Sequence, residues 1–237
     1  MRIGTSGWNY NHWKSVFYPE DLSANNWLSF YADIFDTVEI NNTFYQLPSA
    51  ATAGRWRDCV ERDFLFSVKA SRYITHMKKL KDPKDTLKAF FKIIEIMGEK
   101  VGPILFQLPP YWKINIERLN SFLAFLSKDY RYAFEFRDST WWNESIYECL
   151  RKYNAAFCIF ELDGVLSPGP ITADFIYIRL HGPGGPYQGS YDTETLAGWA
   201  ASFMAWAKQK KQIYCYFDND QNGYAANNAR QLKEMLE

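Results

Sequence analysis

The chain alternates between two hydrophobic periods. Short apolar runs with period two are separated by stretches in which apolar residues recur every three or four positions. The first run, Ile3 to Ser6, closes on Gly7, and an aromatic loop follows from Trp8 to Phe17. Leu28, Tyr31 and Phe35 mark a helix, and Thr37-Val38-Glu39-Ile40-Asn41 alternates as a second strand. A helix through Trp56 and Val60 precedes the third strand, Phe64 to Ala70. Asp82 and Pro83 begin a helix with the stripe Leu87, Phe90, Phe91 and Ile94, which Gly98 ends.

The same beat continues to the end of the chain. Pro103 to Leu108, Tyr132 to Arg137, Ala156 to Leu162, Phe175 to His181 and Gln212 to Phe217 read as strands. Helical stripes at Leu119–Leu126, Ile146–Leu150, Thr193–Gln209 and Ala225–Leu236 lie between or after them. Eight strands alternating with helices predict parallel strands joined by right-handed crossovers. The expected fold is α/β: a closed (β/α)8 TIM-type barrel in one domain, residues 1–237. An open doubly wound sheet is the rival, but it gathers its polar strand ends at one switch point. Here they recur around the whole set. Between Asp163 and Phe175 stand Gly164, Pro168, Gly169 and Pro170 without a helical stripe, so the helix between strands six and seven is expected to be reduced or missing.

The polar strand ends form the candidate site. They are Ser6, Glu39 with Asn41, Lys69, Gln107, Glu135 with Arg137, Glu161 with Asp163, Arg179 with His181, and Asp218 with Asn219. Parity places Glu39 and Asn41 opposite Val38 and Ile40, and Glu135 and Arg137 opposite Phe134 and Phe136. The polar set then faces the barrel axis. Strand eight is ambiguous, because either parity ends in a polar residue. Barrel enzymes carry their sites at the carboxyl ends of the strands. Burying this many charges only to plug a barrel would cost several kcal/mol per ion unless each is well paired.

Eight ordered motifs carry a family resemblance. They are Thr5-Ser6-Gly7-Trp8, Val38-Glu39-Ile40-Asn41 with Phe44-Tyr45 and Pro48, Ser67-Val68-Lys69-Ala70, Ile74-Thr75-His76, Leu105-Phe106-Gln107-Leu108-Pro109-Pro110, Glu135-Phe136-Arg137, Tyr177-Ile178-Arg179-Leu180-His181-Gly182 and Tyr216-Phe217-Asp218-Asn219. Together they resemble domain-of-unknown-function family 72, the YecE-like proteins, over essentially the whole chain. The resemblance implies a TIM-type barrel similar to the xylose-isomerase and endonuclease IV class, and it supplies no reaction. Asp138 and Asp218 depart from the family pattern, which usually has His and Asn there.

Composition narrows the partners. Lys plus Arg and Asp plus Glu both number 27, so the net charge is zero and a nucleic-acid partner is not favoured. Cys59, Cys149, Cys158 and Cys215 form no C-x-x-C pair, and no apolar run approaches about 18 residues, so a cytoplasmic protein without membrane contact is expected. The aromatic complement, 9 Trp, 16 Tyr and 18 Phe, serves either a bulky core or stacking platforms, and Trp8, Trp13, Tyr45, Trp141, Trp142 and Tyr187 stand in loops that would line the mouth.

The expected chemistry is that of an enzyme acting on a small polar anionic substrate, phosphorylated or carboxylated and polyol-like. Arg137 and Arg179 would hold the anion. Glu39, Glu135 or His181 would move a proton, while Lys69 and Asn41 would stabilise developing charge. Trp8, Tyr45, Gln107, Asp163, Tyr187 and Asn219 complete the expected binding set. The glycine-rich loop after His181 offers backbone N–H groups to the same anion. No cofactor is evident. A divalent ion on Glu39, Glu135 and Asp163 is compatible with the ring, but no spacing motif calls for it. The basic loop His76 to Lys81 supports the alternatives, a nucleic-acid binder or nuclease, and a non-catalytic scaffold is the third reading.

Overall fold

A computed structural model describes all of residues 1–237. Eight parallel strands form the barrel: β1 (Arg2–Thr5), β2 (Thr37–Ile40), β3 (Leu65–Lys69), β4 (Val101–Leu108), β5 (Tyr132–Phe136), β6 (Ala156–Leu162), β7 (Phe175–Leu180) and β8 (Gln212–Phe217). The helices outside it are α1 (Trp27–Ala32), α2 (Ala50–Asp58), α3 (Pro83–Thr86), α4 (Lys88–Met97), α5 (Ile116–Phe125), α6 (Glu144–Lys152), α7 (Thr193–Lys208) and α8 (Tyr224–Glu234). Hydrogen bonds run continuously from β1 through β8, β7, β6, β5, β4 and β3 to β2. A parallel bridge between Ser6 and Glu39, with the Gly7 N–H donating to the Glu39 carbonyl at 2.8 Å, draws β1 against β2. The barrel is thereby nearly closed.

Alternation sorts the core into two clusters. Val38, Ile40, Phe66, Val68, Phe134, Phe136, Ile176, Ile178, Ile213 and Cys215 face outward and pack in the larger cluster with Phe90, Leu119, Ile146, Leu196 and Leu232 of the helices. Leu105, Ala133, Cys158, Phe160, Phe175, Tyr177, Tyr214 and Tyr216 face inward and fill the lower barrel. This settles strand eight: Tyr214 and Tyr216 point to the axis, so Asp218 does too.

No helix separates β6 from β7. Leu162 pairs antiparallel with Val165 across Asp163 (φ 52°) and Gly164 (φ 73°), a two-residue hairpin turn in which both central residues are left-handed. The returning segment covers the sheet in the helix's place. Ser167 Oγ accepts from the Phe160 N–H at 2.9 Å and Thr172 Oγ1 from the Phe157 N–H at 2.7 Å. The inward parity of β6 belongs to Ala156, Cys158 and Phe160. Glu161 and Asp163 therefore do not join the axial ring, contrary to the expectation from their place at the strand end. Asp82 occupies the N-cap of α3 at φ 49°, but its side chain caps nothing.

Candidate functional site at the carboxyl end of the barrel

Above the aromatic floor lies a layer of charge centred on Arg179, which is fully buried. Its Nε donates to Glu39 Oε2 at 3.0 Å, Nη1 to Glu135 Oε2 at 2.9 Å, and Nη2 to Glu39 Oε1 at 2.8 Å and Asp218 Oδ2 at 2.9 Å. Ser6 Oγ accepts from Nη2 at 3.1 Å and also bonds the Glu39 carboxylate. Tyr177 rises from the floor and donates to Glu39 Oε2 at 2.6 Å. Arg179 thus ties β7 to β2, β5 and β8 with every direction of its fork in use. It holds the site together and has no free face for the anion expected of it.

His181 is also sealed. Its Nε2 lies 3.1 Å from Arg137 Nη2 and 3.2 Å from Arg179 Nη1, both of them obligate donors, so Nε2 accepts. The proton then sits on Nδ1, 3.0 Å from Asp218 Oδ2. Burial and then the Arg179 charge hold this imidazole below its ordinary pKa. His181 is a neutral spacer between a carboxylate and two guanidiniums, and its basic nitrogen is occupied. Burial pushes the Glu135 carboxyl up, but Arg137 and Arg179 outweigh it and hold the group far below the usual carboxylate range. Burial and Arg179 act on Asp218 in the same opposed way, and its net shift is downward. An acid this strong stays ionised and does not serve as a proton donor at neutral pH.

The layer opens to water through other residues. Lys69, only 9% exposed, makes no ion pair, and its Nζ lies 4.6 Å from the centroid of the Phe44 ring. Nζ is not among the sealed polar atoms, so solvent reaches it. Burial and the Arg179 charge lower its pKa to about 8. Arg137 gives Nε to Glu135 and one Nη2 hydrogen to His181, and its guanidinium lies 4.9 Å over Phe160. Its Nη1 has no protein partner. Gln107, half-buried and in register with Glu135, also makes no side-chain hydrogen bond. Tyr187 is 44% exposed and stands edge-on over His181 at 5.5 Å.

The remaining expected residues divide. Asn41 lies at the mouth, where Nδ2 reaches Ser6 Oγ and, at 3.4 Å, Asp218 Oδ1, while its Oδ1 is buried without a partner. Tyr45 is 74% exposed on the rim beside Phe44. Trp8 is not at the mouth: it packs outward against Trp56 at 5.2 Å and Phe66 at 6.5 Å. Trp13 and Trp141 are likewise buried in the outer layer. Asn219 is fully buried and donates to the Gly189 carbonyl at 2.8 Å and to Asn228 at 3.0 Å, so it positions the loop. That loop spends most of its donors: the N–H groups of Gly182, Gly184, Tyr187, Gln188 and Gly189 bond within the protein, and Gly185 N–H alone does not. They form no anion cradle. Asp163 is exposed in the hairpin turn, so it completes no metal triad with Glu39 and Glu135, and no cluster of three ligating side chains occurs elsewhere.

Strand parity gives no sign of two residues at the mouth. Phe44 follows β2 in a short 3-10 turn, and His76 lies in a single π-helical turn, Tyr73–Met77, after β3. π turns recur at functional sites, and the ordered motif Ile74-Thr75-His76 is the only sequence signal for this one. His76 meets the Phe44 ring edge-on at 4.9 Å and places Nδ1 2.9 Å from Thr75 Oγ1, leaving Nε2 without a partner. Burial and the nearby Lys69 charge lower its pKa to about 4.

A cavity of about 920 Å³ opens at the opposite end of the barrel, between Leu65, Arg131, Tyr132, Asn154, Asp174 and Tyr214. It contains none of the buried charges. Chemistry is placed by those groups rather than by volume.

A (β/α)8 barrel with a charged, partly open carboxyl-end mouth defines the class. The chain belongs to the family described as Protein of unknown function DUF72, which it matches over residues 2–237. It is 25% identical to the UPF0759 protein YunF of Bacillus subtilis over 269 aligned positions, covering 99% of this chain and 94% of the relative. The crystal structure of a DUF72 family protein from Thermotoga maritima superposes with a TM-score of 0.90 at 31% identity, covering 99% of this chain and 98% of the other. One from Enterococcus faecalis gives 0.84 at 18% identity, with 99% and 94% covered, a likeness of fold alone. No helix is long and apolar enough to cross a membrane.

Proposed function

We propose that the barrel is an enzyme acting on a small polar substrate whose phosphate or carboxylate docks between Lys69 and Arg137. One observation carries this reading: the Lys69 ammonium is nine-tenths buried at the mouth and has no counter-charge within ion-pair distance. A buried cation is ordinarily paired or neutralised. Here the three inner carboxylates are turned toward the two arginines, so the partner that Lys69 lacks is one a ligand can bring. Arg137 Nη1 offers a second, charge-assisted donor for the same anion. Gln107, Asn41 and Tyr187 supply neutral polar contacts for the hydroxyl-bearing remainder. With His181 enclosed and Glu135 held ionised, Lys69 is the group at the mouth best suited to exchange a proton near neutral pH.

A nucleic-acid partner has less support, because Lys78 and Lys113 on the basic rim are already within 4 Å of Asp82 and Asp138. The test is calorimetric titration with inorganic phosphate and sulfate. Binding is expected in the wild type, weakened about tenfold or more by Arg137→Met or Lys69→Met, the loss of one charge-assisted hydrogen bond. Folded variants that bind as tightly as the wild type would overturn the proposal.

A further inference from the structure

We infer that Lys69 is a carbonyl-capturing nucleophile, and that the substrate is an aldehyde or ketone carrying the anionic group. The inference rests on the proposed anion site and specifies the reacting bond. Four features of the mouth lead to it. Lys69 ends β3, which pairs with β2 on one side and β4 on the other, with Lys69 itself opposite Leu105, so its side chain leaves the sheet at a fixed point. Its amino group has no hydrogen bond or ion pair to break before it attacks. One side of its amino group is covered by the Phe44 ring, which His76 flanks, so a ligand approaches from the other. Finally, the charges felt at its amino group oppose one another: Arg179 of β7 against Glu39 of β2, Glu135 of β5 and Asp218 at the end of β8, with His76 neutral nearby. The free amine and the ammonium are then both accessible near neutral pH, as an amine nucleophile requires.

The step balances without a further reagent. The neutral Lys69 amine adds its lone pair to the carbonyl carbon, forming a C–N bond, and the carbonyl π pair moves to oxygen. That oxygen takes the proton lost from nitrogen, giving a carbinolamine. A second proton from water allows the hydroxyl to depart as water, leaving a protonated imine on Lys69 and hydroxide in the solvent. Arg137 holds the anionic group throughout. The iminium withdraws electrons from the neighbouring carbon and makes proton loss or carbon–carbon cleavage there easier, the ordinary use of a Schiff-base lysine.

Glyoxylate, a carboxylate-bearing aldehyde, tests this with the full chain, and neutral glycolaldehyde serves as its control. Each is incubated with the protein near neutral pH and reduced with borohydride, and the modified lysines are mapped by peptide mass spectrometry. Glyoxylate is expected to leave a carboxymethyl group on Lys69 about tenfold or more faster than on the exposed lysines, as the lowered pKa implies. Glycolaldehyde should lose most of that selectivity, and excess sulfate should protect Lys69. Modification at Lys69 no faster than at the exposed lysines would overturn the inference. If sulfate still binds in calorimetry, the anion site stands and only the nucleophile falls. If sulfate does not bind, both readings fail.

Discussion

Arg179 and Glu39 form a forked pair, Nε to Oε2 at 3.0 Å and Nη2 to Oε1 at 2.8 Å, with both side chains fully enclosed. The pair joins β7 to β2 across the barrel, beside the seam where β2 meets β1 through the Ser6–Glu39 bridge. Breaking a buried pair from one side leaves an uncompensated charge, which costs about 3–5 kcal/mol. Arg179→Met removes the cation from Glu39 and Asp218 and leaves Glu135 with Arg137 alone, whereas Glu39→Gln keeps the shape and removes one charge. Urea unfolding is expected to show the arginine variant losing more stability than the glutamine variant, or failing to fold. A loss below about 1 kcal/mol for both, the scale of an exposed pair, would contradict this view of the network.

Lys69 predicts an alkaline signature. Its pKa falls from 10.5 in the unfolded chain to about 8 in the fold. Between those values the unfolded chain binds the extra proton, so this group's contribution to stability rises with pH across that window. Below pH 8 both states are charged and the penalty is constant. The stability difference between the wild type and Lys69→Met should therefore change by on the order of 3 kcal/mol between pH 8 and 10.5, in favour of the wild type as pH rises. A difference that is flat with pH would mean that Lys69 is already neutralised by a partner.

His181 should behave as a fixed tautomer. Histidine-labelled protein, with only three histidines, makes the imidazole nitrogens resolvable by NMR. The expected pattern is a protonated Nδ1 and a bare Nε2, unchanged as pH falls through 6.5, because burial and Arg179 disfavour the second proton. Asp218→Asn removes the acceptor facing Nδ1 and should broaden or reverse that pattern. A normal titration midpoint in the wild type would show that His181 is exposed to water and available as a base.

Much of this was legible because parity on a strand is a geometric rule. Val38 and Ile40 against Glu39 and Asn41, and Phe134 and Phe136 against Glu135 and Arg137, divide in the fold as they do in the sequence. The missing helix before β7 also showed, since nothing between Asp163 and Phe175 repeats at helical spacing. The same segment misled at its first residue. Asp163-Gly164 between Leu162 and Val165 is a hairpin dipeptide, and taking it as a strand end put Asp163 in the ring. Loop aromatics misled for a different reason. Trp8 and Trp141 sit in loops that fold back over the strand ends, and only tertiary packing distinguishes a buried loop indole from a rim platform. Arg179 had the right place and the wrong role, because sequence locates a fork without showing what fills it. Phe44 and His76 lie on turns whose period is neither two nor 3.6, so no hydrophobic pattern marks them.

Anomalous diffraction from crystals soaked in selenate shows whether the unpaired cation at the mouth takes a ligand's anion. A peak within hydrogen-bonding distance of Lys69 Nζ and Arg137 Nη1, absent in Lys69→Met, is the predicted result. Selenate bound only along the basic loop His76–Lys81 or in the cavity at the opposite end, with the mouth empty, would contradict it.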